Sequence, residues 1–342
     1  MPRAGGGAGV NARFEPGQIS DRVTFLAKQH RTMRIDEELS SAATQQASLL
    51  TIGVFDGVHR GHRHLIARLM DRAAAMGTLT GVVTFRDHPA ELLDAEFRPQ
   101  YLTSLEERVK LLEGLGVDFV VPITFDLALS ELRARDFIGL LQRHLHATGI
   151  VVGPDFAMGY KREGDVTALA EIGKEIGFSV AVVDLLREGS EDVRSTVIRE
   201  VLARGDVSKA SELLGRDFAL AGRVVRGAGR GATLGIPTAN LDVPDGMVVP
   251  GNGIYATRAH LRDGVRMAAT SIGTRPTFDE GERTIEACIL DFEGDLYGQQ
   301  VRLEFVGRLR DEEKYDSVEA LLEQIDRDVE QTRAILGGRA AQ

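Results

Sequence analysis

The sequence holds a single cysteine, Cys288, so no disulfide framework can form and a reducing cytoplasm is the expected setting. It contains no apolar run approaching the ~20 residues that would span a bilayer, so a membrane protein is not expected. Basic residues are not in excess: 41 Lys and Arg stand against 51 Asp and Glu, a net charge of −10. Without a basic face to offset phosphate repulsion, nonspecific nucleic-acid binding is excluded. The glycine-rich segment after Arg226 lacks the Gly-Lys-Ser/Thr that a Walker loop requires. Residues 1–47 are polar, open on a glycine-alanine tract and carry no hydrophobic signal core. They read as an N-terminal extension, partly disordered over its first twenty residues. A more regular acidic stretch follows at Arg34–Leu39, and Met33 just before it is an alternative start of translation.

What is present fits an ordinary soluble globular protein, 43% hydrophobic and 27% charged, and 342 residues is enough for two cores. The stretch Leu50–His64 organises the first. An apolar run, Leu49–Phe55, breaks at Asp56-Gly57, and a helical pattern begins after Gly61 with Leu65, Ile66, Leu69 and Met70 on one face. Such a strand-to-helix turn is where open α/β sheets bind nucleotides, because free N–H groups and the helix dipole point at phosphates. His59 and His62 would donate to a phosphate gaining charge, and Gly61 would let the backbone come close. Alternatively His59, His62 and His64 form a metal cluster, or are plain surface residues; Cys288 is too distant in sequence to offer zinc a fourth ligand.

From Leu49 to about Gly205, short apolar runs alternate with helical segments. The runs are Leu49–Phe55, Leu79–Phe85, Phe119–Phe125, Ile150–Phe156 and Val180–Leu186. The helical segments are Arg63–Ala75, Leu105–Gly114, Ala134–His144, Ala168–Ile176 and Ser195–Arg204. This alternation predicts a doubly wound parallel sheet. Three motifs fall at its ligand-binding ends. Thr84–Pro89 reads as a turn closed by proline. Gly153–Asp165 offers glycines and the cations Lys161 and Arg162 to a flat ligand or a phosphate, or is a solvated turn. Arg194–Arg199 opens a helix, with Ser195 or Thr196 as its cap; their hydroxyls, with Arg199, could also hold a triphosphate.

Taken together, Gly53-Val-Phe55-Asp56-Gly57-Val-His59-Arg-Gly61-His62 and these three motifs resemble the FMN adenylyltransferase module of bacterial bifunctional riboflavin kinase/FAD synthetases. The resemblance extends to Leu102-Thr103-Ser104 and Phe125-Asp126. It implies that His59 and His62 stabilise the α-phosphate during transfer. It further implies nucleotide binding by Gly53, Phe55, Asp56, Gly57, Gly61, Ser195, Thr196 and Arg199, and flavin binding by Asp155, Phe156, Gly159, Arg162 and Asp165. Two departures stand out: Arg194 where the family usually has serine, and Asp87 where it usually has proline.

Beyond Gly215 helical period gives way to short alternating segments, Ala219–Val225, Gly253–Leu261, Arg266–Ile272, Thr284–Leu290 and Gln300–Val306. That predicts a small antiparallel barrel or sandwich, closed by a helix from Val318 to about Leu336. Thr238 and Asn240, two apart on an extended strand, would offer neutral oxygens to Mg²⁺, or face solvent. Glu286 is the carboxylate of an otherwise apolar strand, either poised to take a proton from an alcohol or guarding a sheet edge.

With Gly227–Asn240, Ser271–Phe278, Arg283–Gly298, Leu309–Tyr315 and Gln324-Ile325, this half resembles the riboflavin kinase module. Ala232 stands where the family usually has arginine, with Arg230 as a partial substitute, and Ile236 replaces phenylalanine. The resemblance implies Glu286 as proton acceptor, Gly227, Gly231, Gly235 and Pro237 around the nucleotide, Thr238 and Asn240 on Mg²⁺, and Arg310 near the flavin. A barrel at 213–342 is then expected after an α/β module at 48–212. MgATP, riboflavin, FMN and FAD are the expected ligands, with a weak homo-oligomer at most. Two other classes stay open: an adenylylating enzyme for a nicotinate- or pantetheine-type phosphate, and a flavin-binding regulator without catalysis.

Overall fold

A computed structural model describes residues 34–188, 191–227, 237–274 and 283–339. The first half runs α1 (residues 34–40), β1 (Ser48–Gly53), α2 (Arg60–Met76), β2 (Leu79–Phe85), α3 (Pro89–Leu93), α4 (Leu105–Glu113) and β3 (Phe119–Ile123). It continues through α5 (Leu127–Ser130), α6 (Ala134–Leu145), β4 (Ala147–Val152), the hairpin of β5 (Ala157–Met158) and β6 (Gly164–Asp165), α7 (Val166–Ile176) and β7 (Ser179–Val182). The hairpin of β8 (Arg187–Glu188) and β9 (Glu191–Asp192) then leads to α8 (Ser195–Ala203) and α9 (Val207–Leu214).

Five of these strands form a parallel sheet in the order β3-β2-β1-β4-β7. Both faces are covered, which is why the strands read as continuous apolar runs. Leu50 and Ile52 of β1 pack among Phe137, Ile138 and Leu141 of α6, whereas Leu49 packs against Leu69 and Ala73 of α2. The acidic stretch before the sheet is helical, and α1 buries Ile35 and Leu39 in the same core. Strand order reverses between β1 and β4, so the loops leaving their carboxyl ends, 54–59 and 153–165, flank the crevice where such sheets bind ligands.

The second half is a closed antiparallel barrel. Its strands are β10 (Phe218–Val225), β11 (Ala239–Asp242), β12 (Gly253–Leu261), β13 (Gly264–Thr274), β14 (Arg283–Ile289) and β15 (Gln300–Arg310), in the order β10-β11-β14-β13-β12-β15. Closure removes the edges, so Glu286, on β14 between β11 and β13, is no edge-strand charge. The last helix, α10 (Val318–Arg339), lies against β12, β13 and β15, with Ile335 and Leu336 on Ala256 and Val306.

Helices α8 and α9 share the barrel's apolar cluster: Ile198, Leu202 and Leu214 pack with Phe218, Tyr255 and Phe305, and Leu102 of the first half joins them. The halves also meet where Tyr101 bridges Met247 and where Glu107 of α4 reaches Arg302 of β15 at 3.5 Å. Several short elements escape sequence periodicity. The Thr84–Pro89 turn, for example, is a helix start: His88 accepts from the Ala90 N–H, Glu91 completes the capping box, and Pro89 opens α3.

Candidate active sites

The turn after β1 is held by its own buried carboxylate. Asp56 is 3% exposed and accepts from the N–H groups of Leu102 (2.9 Å) and Thr103 (3.1 Å), while Arg199 donates to its other oxygen. Thr103 Oγ in turn accepts from the Gly57 N–H at 3.0 Å. These bonds stabilise a backbone that bends against preference, with φ of 53° at Phe55 and 39° at Val58, a conformation worth ~1–3 kcal/mol of strain per residue. The side chains of Phe55 and Asp56 therefore point inward, Phe55 into a cluster with Val58 and Ile66. The resemblance implied that both bind a nucleotide; in the structure their side chains shape the loop.

His59 caps α2, its Nδ1 accepting the His62 N–H at 3.3 Å, which leaves the proton on Nε2. The two rings stack at 3.6 Å between centroids, and Phe55 meets His62 edge-on at 5.2 Å. Burial, with Arg216 and Arg199 nearby, lowers the His59 pKa to about 4; burial also drives His62 well below 6.5. Both imidazoles are thus neutral at pH 7. Gly61 has no room for a side chain, since a Cβ would lie 2.8 Å from the Val193 carbonyl and 3.1 Å from the His59 ring.

Across the crevice, α8 begins at Ser195, and its cap position is Arg194, which makes no side-chain capping bond. Ser195 and Thr196 do not cap it, contrary to expectation: Ser195 Oγ instead donates to the Asp56 carbonyl at 3.0 Å, and Thr196 is exposed. The first-turn N–H groups of α8 are left without a side-chain cap, and no acidic residue stands in that turn. Arg199 is held by Asp56 and by the Gln100 carbonyl (2.6 Å).

The loop expected to seat the flavin is tied to α8. Asp155 pairs with Arg194 at 3.0 Å, so the departure from serine forms a bridge between loop and helix. Arg162 turns back to donate to the Asp155 carbonyl at 3.2 Å, Phe156 packs on the sheet's core, and Gly159 has φ 82°. Asp165 caps α7, accepting from Thr167 (3.0 Å) and Ala168 (2.8 Å); its carboxylate is taken up by the helix.

In the barrel, β14 separates two cavities. One of about 290 Å³ is lined by Thr238, Ser271, Glu286, Cys288, Arg310 and Asp328, with α10 on its far side through Leu321 and Ile325. The other, about 260 Å³, is lined by Val224, Pro237, Thr238, Ala287, Ile289 and Tyr297. Alternation along β14 sends Glu286 and Cys288 to the first and Ala287 and Ile289 to the second. Thr238 borders both. Asn240 is directly opposite Glu286, which is also opposite Ser271, so the three share one face. A side chain on Gly227 would run into Asn240. Gly231 and Gly235, with Arg230, Ala232 and Ile236, lie outside the described residues.

A family model described as FAD synthetase matches residues 41–197, and one described as riboflavin kinase matches residues 214–336. The bifunctional riboflavin kinase/FMN adenylyltransferase of Escherichia coli K12 is 37% identical over 299 residues, covering 87% of this chain and 95% of that protein. The chain belongs to the bifunctional riboflavin kinase/FMN adenylyltransferase family. The Bacillus subtilis relative of the same description is 32% identical over 289 residues, 83% of this chain and 91% of the relative. A crystal structure described as a macrolide-efflux protein from Streptococcus pneumoniae superposes with a TM-score of 0.78 at 31% identity, over 85% of this chain and 95% of that one. That description concerns the other protein; among the described residues here, no helix is long and apolar enough to cross a membrane.

Within the riboflavin kinase half, Arg310 lines the larger cavity with its guanidinium engaged by protein groups. It is bidentate on Asp328 (2.9 and 2.7 Å) and donates again to the Asp311 carbonyl. Within the FMN adenylyltransferase half, sequence reasoning missed Arg108, 1% exposed, whose guanidinium donates to the carbonyls of Val54 (2.9 Å) and Phe85 (2.8 Å) at the ends of β1 and β2. Its signal was an arginine on the apolar stripe of α4, between Leu105 and Leu112. Among the described residues no group of three or more His, Cys, Asp or Glu is placed to hold a metal, so the histidine-cluster alternative finds no support. The donors near the barrel cavities, Thr238 and Asn240, are neutral oxygens that suit a hard cation arriving with ATP phosphates.

Proposed function

We propose that the family's two reactions, phosphorylation of riboflavin to FMN and adenylylation of FMN to FAD, run in two separate pockets of this chain. The kinase pocket is the pair of cavities flanking β14. Riboflavin occupies the larger, its ribityl 5′-hydroxyl toward Glu286, and MgATP the smaller. Thr238 stands where the γ-phosphoryl must pass from one to the other. Glu286 accepts the hydroxyl proton as the oxygen–phosphorus bond forms and ADP departs; Thr238 and Asn240 would hold Mg²⁺, which would supply neutralisation of phosphate charge. The observation that carries this reading is the alternation of Glu286 and Ala287 into two cavities that share Thr238.

The adenylyltransferase pocket is the crevice between β1 and β4. An FMN phosphate oxygen attacks the α-phosphorus of ATP, and pyrophosphate leaves. Because that phosphate is ionised at neutral pH, no general base is needed. Neutral His59 and His62 donate to the α-phosphate as charge builds, while the uncapped start of α8, with Ser195, Thr196 and Arg199, receives the β,γ-phosphates. The loop 153–165 covers the flavin. We assign residues 48–212, with α1, to this module and 213–342 to the kinase; the lone Cys288 supports a reducing cytoplasm.

Incubation of the full chain with riboflavin and MgATP, followed by chromatography, tests the reading. FMN should appear first and FAD after it. An adenylylated nicotinate- or pantetheine-type product, or flavin bound but unconverted, would contradict it.

A further inference from the structure

The two reactions leave Arg216 without a role. It follows Gly215, the C-terminal cap of α9, and precedes β10, so it lies where the two modules meet. That junction packs on the first turns of α2: a Cβ on Gly215 would lie 3.1 Å from the Arg60 side chain and 3.3 Å from an Arg63 guanidinium nitrogen. Arg60 also donates to the Glu212 carbonyl at 3.4 Å. Arg216 is therefore near the helix start that His59 caps, and it acts electrostatically on His59 itself. Its Nη1 is buried and has no hydrogen-bond partner among the described residues.

Burial holds its pKa down to about 10, with Arg63 and Arg302 repelling it, and Glu107 and Asp56 compensate only in part. The nearby carboxylates are already engaged, Glu107 by Arg302 and Asp56 by Arg199. A buried donor nitrogen left without a partner costs stability. A mutually repelling cluster of guanidinium groups beside a helix N-terminus is relieved by an anion. The adenylyl-transfer pocket in turn calls for a further cation: the two histidines bring no charge at pH 7, and Arg199 is shared with the Asp56 carboxylate.

We propose that Arg216 is a phosphate-binding residue of the adenylyl-transfer site, contributed from the module junction and directed at the β,γ-phosphates of ATP. In the transfer, the bond from the FMN phosphate oxygen to the α-phosphorus forms and the α–β bridging bond breaks. The electron pair leaves on pyrophosphate, and that added negative charge is what Arg216 stabilises. This rests on the reading that the triphosphate lies along the starts of α2 and α8.

The test uses the full chain with Arg216→Met and Arg216→Lys, beside His62→Ala. Pyrophosphate binding is measured by calorimetry, FMN adenylylation and riboflavin phosphorylation by chromatography, and melting by circular dichroism. Arg216→Met should lower adenylylation kcat/KM by roughly 10²-fold and weaken pyrophosphate binding at least ~10-fold. It should leave riboflavin phosphorylation within about twofold and the melting temperature no lower, since a buried donor nitrogen without a partner has gone. Arg216→Lys should recover part of the pyrophosphate affinity. Unchanged adenylylation and pyrophosphate affinity in Arg216→Met would overturn the inference. So would a joint fall of both activities with the melting temperature, which marks a structural residue. Should Arg216→Met not fold, Arg216→Lys decides: a loss confined to adenylylation supports the inference and an unchanged rate contradicts it. If His62→Ala abolishes adenylylation while Arg216→Met does not, the site reading stands and only the role of Arg216 falls.

Discussion

At the scale of single residues, burial decides what the paired histidines can do. Their identity and spacing are plain in Gly53–His62, but their charge is not, because it is suppressed first by burial in the fold and then by neighbours such as Arg216 that are remote in sequence. The consequence for pH follows from the sign of the shift. His59 has a folded pKa of about 4 against 6.5 when free, so the unfolded chain takes up its proton first as pH falls. Its contribution is complete above pH 6.5 and is lost as pH falls toward 4; His62 shifts in the same direction. Chemical denaturation from pH 7.5 to 4.5 should show this loss, and His59→Gln should flatten it by about 3 kcal/mol. Adenylylation should run through pH 6.5 without a histidine step. A rate that falls with a midpoint near 6.5 would mean that the imidazoles titrate as if exposed.

At the scale of elements, periodicity made most of the large pieces legible, and local chemistry left the partners of some side chains open. The two-residue repeat of β14 is by itself enough to put Glu286 and Ala287 on opposite faces. By contrast, Ser195 and Thr196 look like helix caps, and Asp165 and Arg310 like ligand contacts. Which of them a helix or an ion pair consumes depends on neighbours that the sequence does not display: the Asp56 carbonyl, the start of α7, and Asp328 one helix away. The short helices α3 and α5 rest on their caps, too brief for an apolar stripe.

The Arg310–Asp328 pair also has a mechanical meaning, since it fastens α10 over the larger cavity. Asp328 is 3% exposed and also accepts from Gln324. Asp328→Ala should destabilise the chain by roughly 2–3 kcal/mol, because the half-buried Arg310 guanidinium loses its bidentate partner. Below its melting temperature the variant should show a raised KM for riboflavin and an unchanged rate of FAD formation from supplied FMN. An unaltered riboflavin KM would show that α10 does not set the cavity.

For the whole molecule, the order of modules was readable from the switch in hydrophobic period near Gly215. The way they are joined was not. Helices α8 and α9 lead from the first sheet into the barrel's apolar cluster, and Glu107–Arg302 crosses the same junction. The crevice proposed to bind ATP for adenylylation is therefore built on elements continuous with the kinase core, while the kinase cavities flank β14. Two chemistries in one folded chain should then be separable by single substitutions that leave the fold intact.

The most direct measurement supplies His62→Ala and Glu286→Ala, each confirmed folded, with riboflavin and MgATP and, separately, with FMN and MgATP. The account predicts that His62→Ala accumulates FMN from riboflavin and makes no FAD from either flavin. Glu286→Ala should leave riboflavin unconverted yet turn FMN into FAD at the parental rate. Loss of both reactions in either folded variant would contradict it.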